Sequence, residues 1–201
     1  MTAMSEKISG SAEKALPWVL LVSGLVGFAA SFVLTIDKMK LLANPHFAPA
    51  CNLNPIISCG SVMKTGQASV FGFANSLVGI AAFAVLAFLG MSLLAGARYR
   101  RWFWLAIQAG AALGLAFVGW LIFQSLYRIH SLCPYCMGVW AATIATFWYV
   151  LVHNLRTGYM SFGVRARDFL VRNHAGMLLA LYAVVAALVL QHFWYFFNPF
   201  K

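Results

Sequence analysis

The sequence predicts an all-α integral membrane protein, and three observations predict it. The 201-residue chain is 63% hydrophobic and only 9% charged, far more apolar than an average soluble domain. Lys, Arg, Asp and Glu leave five long uncharged intervals, at 15–36, 65–97, 102–127, 129–155 and 173–200. The basic residues gather between those intervals rather than along one soluble face.

Each interval can hold one crossing. A helix rises about 1.5 Å per residue and the hydrocarbon core is about 30 Å thick, so roughly 20 apolar residues suffice. The interval beginning at Thr65 opens with glycines and polar groups, so it reads as loop followed by a helix from Asn75. Spans are therefore expected at about 16–36, 75–96, 102–127, 133–154 and 175–196, with a loop over 37–74. The whole chain, 1–201, is expected to form a single membrane domain. Lys7 and Lys14 ahead of the first apolar run would also suit a cleaved signal peptide. The run from Ala15 to Ile36, however, is longer than the roughly 7–15 apolar residues such signals carry, so it is read as a span.

The net charge of +10 could attract nucleic acid, but topology accounts for it better. With the N-terminus in the cytoplasm, the inside segments hold Lys7, Lys14, Arg98, Arg100, Arg101, Arg156, Arg165, Arg167 and Arg172. The outside holds fewer: Lys38, Lys40, Lys64, Arg128 and Lys201. The positive-inside rule then places the N-terminus inside and the C-terminus outside, with no nucleic-acid partner. No Asp, Glu, Lys or Arg falls within an expected span, which disfavours an ion or proton pathway through the bilayer. The segment from Arg156 to Asn173 reads as a solvated basic anchor.

Under that topology all four cysteines face the periplasm or exterior, where disulfides form and exchange. Cys51 and Cys59 lie in the long loop, and a loop of that length usually carries function. Cys133-Pro134-Tyr135-Cys136 opens the fourth span. Proline suits a first helical turn, so Cys133 falls at or near the N-cap, where unpaired N–H groups and the helix dipole favour a thiolate. The spacing puts both sulfurs on one helix face, open to attack by a third cysteine. The loop pair is expected to move relative to this fixed pair and to shuttle electrons to it by thiol–disulfide exchange, with a membrane quinone as a sufficiently oxidising sink. A purely structural disulfide is the plainer alternative. Zinc is disfavoured because Cys51 and Cys59 are not a short-spaced ligand pair, and covalent haem because Met137 follows Cys136. His130 reads as an interfacial polar residue, with assistance in proton transfer as the other role open to it.

These residues resemble the vitamin K epoxide reductase family, including bacterial members that oxidise disulfide-forming proteins. The matching elements are Cys51 and Cys59 followed by Gly60-Ser61-Val62, Phe71-Gly72, Asn75-Ser76-Leu77-Val78-Gly79 opening the second span, and Cys133-Pro134-Tyr135-Cys136 opening the fourth. The resemblance covers roughly residues 15–155. It implies a four-helix transmembrane bundle around a quinone site, capped by the outer loop, plus a fifth transmembrane helix. It further implies Cys136 as the quinone-facing thiol, Cys133 as its exchange partner, Cys51 and Cys59 as the shuttle, and Asn75 as a hydrogen-bond donor to a quinone carbonyl. Asn75 could instead merely cap its helix.

Two departures shape the expectation. Vertebrate enzymes carry a tyrosine one turn after the second helix cysteine, where this chain has Trp140. An indole N–H can donate a hydrogen bond but lacks a phenol's acid chemistry, which favours plain quinones over the epoxide. Many bacterial relatives also carry a fused thioredoxin-like domain after the fifth span. This chain stops at Lys201, so a separate thioredoxin-fold, DsbA-like partner is implied. The expected function is a quinone-dependent thiol-disulfide oxidoreductase, the quinone being menaquinone, ubiquinone or a relative. The alternatives are a quinone-epoxide reductase of vitamin K cycle type and a non-enzymatic tetraspan scaffold with structural disulfides. Cys51 is expected to meet the partner while Cys59 attacks Cys133.

Overall fold

The computed structural model describes residues 2–52, 54, 56–160 and 163–194, with backbone alone over 2–13. Met1, the last residues expected in the fifth span and the terminal charge Lys201 lie outside the described residues. Among the described residues seven α-helices follow in order: α1 Thr2–Ala43, α2 Cys59–Met63, α3 Asn75–Leu94, α4 Arg101–Gln124, α5 Pro134–Arg156, α6 Val164–Arg172 and α7 His174–His192. Five segments of the described residues are long and apolar enough to cross a membrane: Lys14–Ala43, Asn75–Leu94, Arg101–Ile129, Pro134–Arg156 and His174–His192. The protein is thus an all-α, multi-pass membrane protein.

Two boundaries differ from the sequence reading. The loop expected from Asp37 begins only after Ala43, because α1 continues through Asp37, Lys38 and Lys40. Charge ends an uncharged interval but does not end a helix, and no residue here opposes helical geometry before Pro45. The remaining loop is itself partly regular, holding α2 and a 3-10 turn over Gly66–Ser69. The segment read as a plain basic anchor contains α6, a nine-residue helix.

α5 is the centre of the bundle: 56% of its most apolar stretch is buried in the protein, against 6% for α7. α1 packs on both α3 and α5, and α4 packs on α5. The α1–α3 seam is closed by small residues. A side chain at Gly24 would strike the backbone of Ala87, and one at Gly90 would strike the backbone of Leu21. Helices in lipid gain no hydrophobic drive from one another, so close backbone approach through glycine supplies the contact. α3 and α4, by contrast, lean on α1 and α5 and barely on each other. A space lined by both is left between them.

α7 is held at its two ends. The Trp148 indole N–H donates to the His174 carbonyl at 2.7 Å. At the other end Phe193 is fully buried among Ile56, Leu132 and Trp140.

Candidate functional site

The cysteine end of the bundle is organised by a short backbone stitch. α4 passes into a π-helical turn, Ser125–Ile129, which ends at His130 in the left-handed conformation (φ 55°). That reversal lays Ser131–Cys133 beside Ile56–Ser58. Ile57 and Leu132 form a parallel bridge: Leu132 N–H donates to Ile56 C=O at 2.7 Å, and Ser58 N–H to Leu132 C=O at 2.9 Å. The Ser131 hydroxyl adds a bond to Ile56 C=O at 3.1 Å.

Each strand of the stitch runs directly into a helix. Ser58 is the N-cap of α2, its hydroxyl accepting from Ser61 N–H at 3.2 Å, and Cys59 is the first helical residue. Asn52 supports the same turn, its side-chain oxygen accepting from Gly60 N–H at 2.9 Å and from the Ser58 hydroxyl at 3.1 Å. Cys133 is the extended N-cap of α5 (φ −113°, ψ 118°), with Pro134 in the first turn. Two helix N-termini therefore meet, each with a cysteine at its head, where the exposed N–H groups favour negative charge.

The sulfurs lie accordingly. Cys51 and Cys59 form a disulfide, with a Cα–Cα separation of 5.7 Å. Cys133 and Cys136 are free thiols. The Cys133 thiol lies 3.2 Å from the Cys59 sulfur, in contact range for exchange. Cys59 and Cys133 are 0% and 1% exposed, and Cys51 is 7% exposed on its turn. The Cys133 thiol, just ahead of the span, is held below the ordinary cysteine range. The Cys136 side chain, hydrogen-bonding to it, is the main cause; burial opposes this, the Cys136 and Tyr135 N–H groups assist, and the Asp37 charge opposes. Cys59 and Cys133 are both buried and both stand next to the Ile57–Leu132 bridge.

Cys136, one turn into α5, opens onto a cavity of about 420 Å³ enclosed by α1, α3, α4 and α5. Asn75, Trp140 and Cys136 all line it, so the three residues expected at a quinone converge on one space. Trp140 stands one turn beyond Cys136 on α5 and is 3% exposed. Asn75 is not the N-cap of α3, which is Ala74. Its amide instead ties down the preceding turn, donating to Gln67 C=O at 2.7 Å and accepting from Val70 N–H at 3.0 Å. One of its two amide hydrogens remains.

The cavity fits a quinone by volume and by chemistry. Ligand pockets run to about 300–1,000 Å³ with mostly apolar walls and a few placed polar groups, and here Gly79, Gly110 and Gly114 keep the walls thin. No group of three or more His, Cys, Asp or Glu side chains suited to a metal occurs among the described residues. His130 lies outside the cavity lining, its ring 5.3 Å from that of His192.

The sequence pointed to Cys51, Cys59, Cys133, Cys136, Asn75 and Trp140, but not to Asn52, Ser58, Ser131 or Lys38. Ser131 acts through a bond to Ile56, far along the chain, which leaves no local pattern, whereas Ser58 and Asn52 act within a few residues, as the cap of α2 and the support of its first turn. Lys38, on α1, carried a signal in being a cation within a turn of an apolar span.

A helical bundle with a disulfide beside a free dithiol, set over an apolar cavity, is the arrangement of a membrane oxidoreductase. The model of the vitamin K epoxide reductase family matches residues 18–151, and the chain belongs to that family. A comparison with curated proteins finds no match.

Proposed function

We propose that the protein oxidises the dithiol of a thioredoxin-fold partner and passes the electrons to a quinone in the bilayer, supporting disulfide formation outside the cytoplasm. The observation that carries this reading is the 3.2 Å approach of Cys133 to Cys59, with Cys136 lining the cavity on the far side.

The cysteines then act in sequence. A partner thiolate attacks Cys51, the Cys51–Cys59 bond breaks, and Cys59 leaves as a thiolate. The second partner thiol releases the partner as a disulfide and frees Cys51. Cys59 attacks Cys133 of a Cys133–Cys136 disulfide and expels Cys136. Cys51 then attacks Cys59, restoring the loop disulfide and releasing Cys133. The resulting state, with the loop pair joined and the helix pair reduced, is the one in the structure.

A quinone held there supplies a two-electron acceptor. Cys136 faces it, Trp140 offers an aromatic wall and an N–H, and Asn75 offers its remaining amide hydrogen. The open seam between α3 and α4 suits the passage of a polyprenyl tail to lipid. With the N-terminus in the cytoplasm, this end of the bundle faces the periplasm or exterior, where the partner is found.

The test combines the purified protein, a reduced thioredoxin-fold protein and a soluble quinone, following quinone absorbance and partner thiols together. Loss of one quinone per partner dithiol is expected. Partner oxidation without quinone loss, or neither, removes the reading.

A further inference from the structure

The described residues lining the cavity include only two side chains that ionise, Cys136 and Lys38. None is a carboxylate, a histidine or a tyrosine. Lys38 sits on the face of α1 that meets the relay. Leu34 and Leu41, four residues before it and three after, both pack into the cluster formed by Cys51, Cys59, Met63 and Cys133. Its ammonium donates to the carbonyl of Met63, the last residue of α2. An ammonium has three donors, so two remain beyond that bond.

We propose that Lys38 is the cation that binds the quinone oxygen on which negative charge develops. This rests on the quinone reading above and deepens it. Cys133 and Cys136 close one disulfide as their two electrons and two protons pass to the quinone, giving quinol. Electron density reaches the oxygens in that process, and neither Asn75 nor Trp140 carries charge to meet it. A charged donor holds an anionic oxygen about twice as strongly as a neutral one. Lys38 thus favours the reduced over the oxidised ring at the cavity, while its bond to Met63 keeps the amine beside α2.

The experiment uses the full chain in detergent with both disulfides closed, so that no thiol reacts. Binding is read by tryptophan quenching with two probes of similar shape: neutral 1,4-naphthoquinone, and 2-hydroxy-1,4-naphthoquinone in its ionised form. Lys38→Met is expected to weaken the anionic probe by about tenfold or more, the loss of one charged hydrogen bond, and the neutral probe far less. Lys38→Arg, which keeps both charge and a donor for Met63, is expected to hold both probes near wild type. In turnover, Lys38→Met should slow quinone reduction by a similar factor while exchange between Cys59 and Cys133 proceeds normally. Unchanged binding of the anionic probe in Lys38→Met overturns the proposal. So does equal weakening of both probes, which would leave Lys38 as a support for Met63 alone. A wild-type protein that binds neither probe removes the quinone reading itself, and this inference with it.

Discussion

The sulfurs of Cys59 and Cys133, 74 residues apart in sequence, stand 3.2 Å apart because two helix N-termini are stitched together by the Ile57–Leu132 bridge. The bridge holds these two cysteines together and gives Cys51 and Cys133 no such tie. Removing the competing thiols should therefore trap one particular bond. The double variant Cys51→Ser, Cys136→Ser is expected to accumulate a Cys59–Cys133 disulfide on mild oxidation, identified by peptide mapping under non-reducing conditions. In Cys59→Ser, Cys136→Ser, a Cys51–Cys133 bond should form far less. A reversal of these yields would exchange the roles of the loop cysteines.

The lowered Cys133 thiol gives a pH signature. A depressed pKa means the thiolate persists at lower pH than for an ordinary cysteine. The ultraviolet absorbance of the Cys133 thiolate, read as the difference between the protein and its Cys133→Ala variant, should rise with pH through a midpoint below that of an ordinary cysteine. Cys136→Ala removes the largest cause of the depression and should move that midpoint up. Asp37→Asn removes an opposing charge and should move it down.

Asn75 joins the 3-10 turn to α3 through two hydrogen bonds, at 2.7 and 3.0 Å, and lines the cavity. Asn75→Ala is expected to slow quinone reduction by about tenfold or more, as for a lost donor of roughly 1.5–3 kcal/mol. Exchange among Cys51, Cys59 and Cys133 should continue, since none of its supports involves Asn75. Stopped-flow quinone reduction set against partner oxidation reads both. Unchanged quinone kinetics in a folded variant would leave Asn75 as a fastener of the turn alone.

The glycine seam sets a stability prediction. Gly24→Ala forces a methyl group onto the Ala87 backbone, and overpacking of this kind costs about 1–3 kcal/mol. Gly119→Ala, with open space at its Cβ position, should be neutral or slightly stabilising. Thermal unfolding in detergent should therefore show a lowered midpoint for the first variant and none for the second.

The spans were legible because lipid demands long uncharged runs, and the sequence has five. The head of α5 was legible from Pro134 beside Cys133, a local signal for a helix start. The extension of α1 to Ala43 was not, because Asp37 and Lys38 mark where charge begins and say nothing about where helical geometry stops. The meeting of Cys59 with Cys133 was hidden for a different reason. It depends on backbone pairing of Ile57 with Leu132, and such a bridge constrains no side chain strongly enough to leave a pattern. The convergence of Asn75, Cys136 and Trp140 was reachable only through family resemblance, since no spacing relates α3 to α5.

Full burial of Cys59 and Cys133 insulates the middle of the relay. A small thiol or disulfide in the surrounding medium finds only the Cys51 edge to collide with, and a molecule in the lipid reaches only the cavity beyond Cys136. In the proposed relay the reductant and the oxidant therefore share no surface across which electrons could short-circuit. Under the proposed function the fold works as an airlock with two doors and a sealed passage.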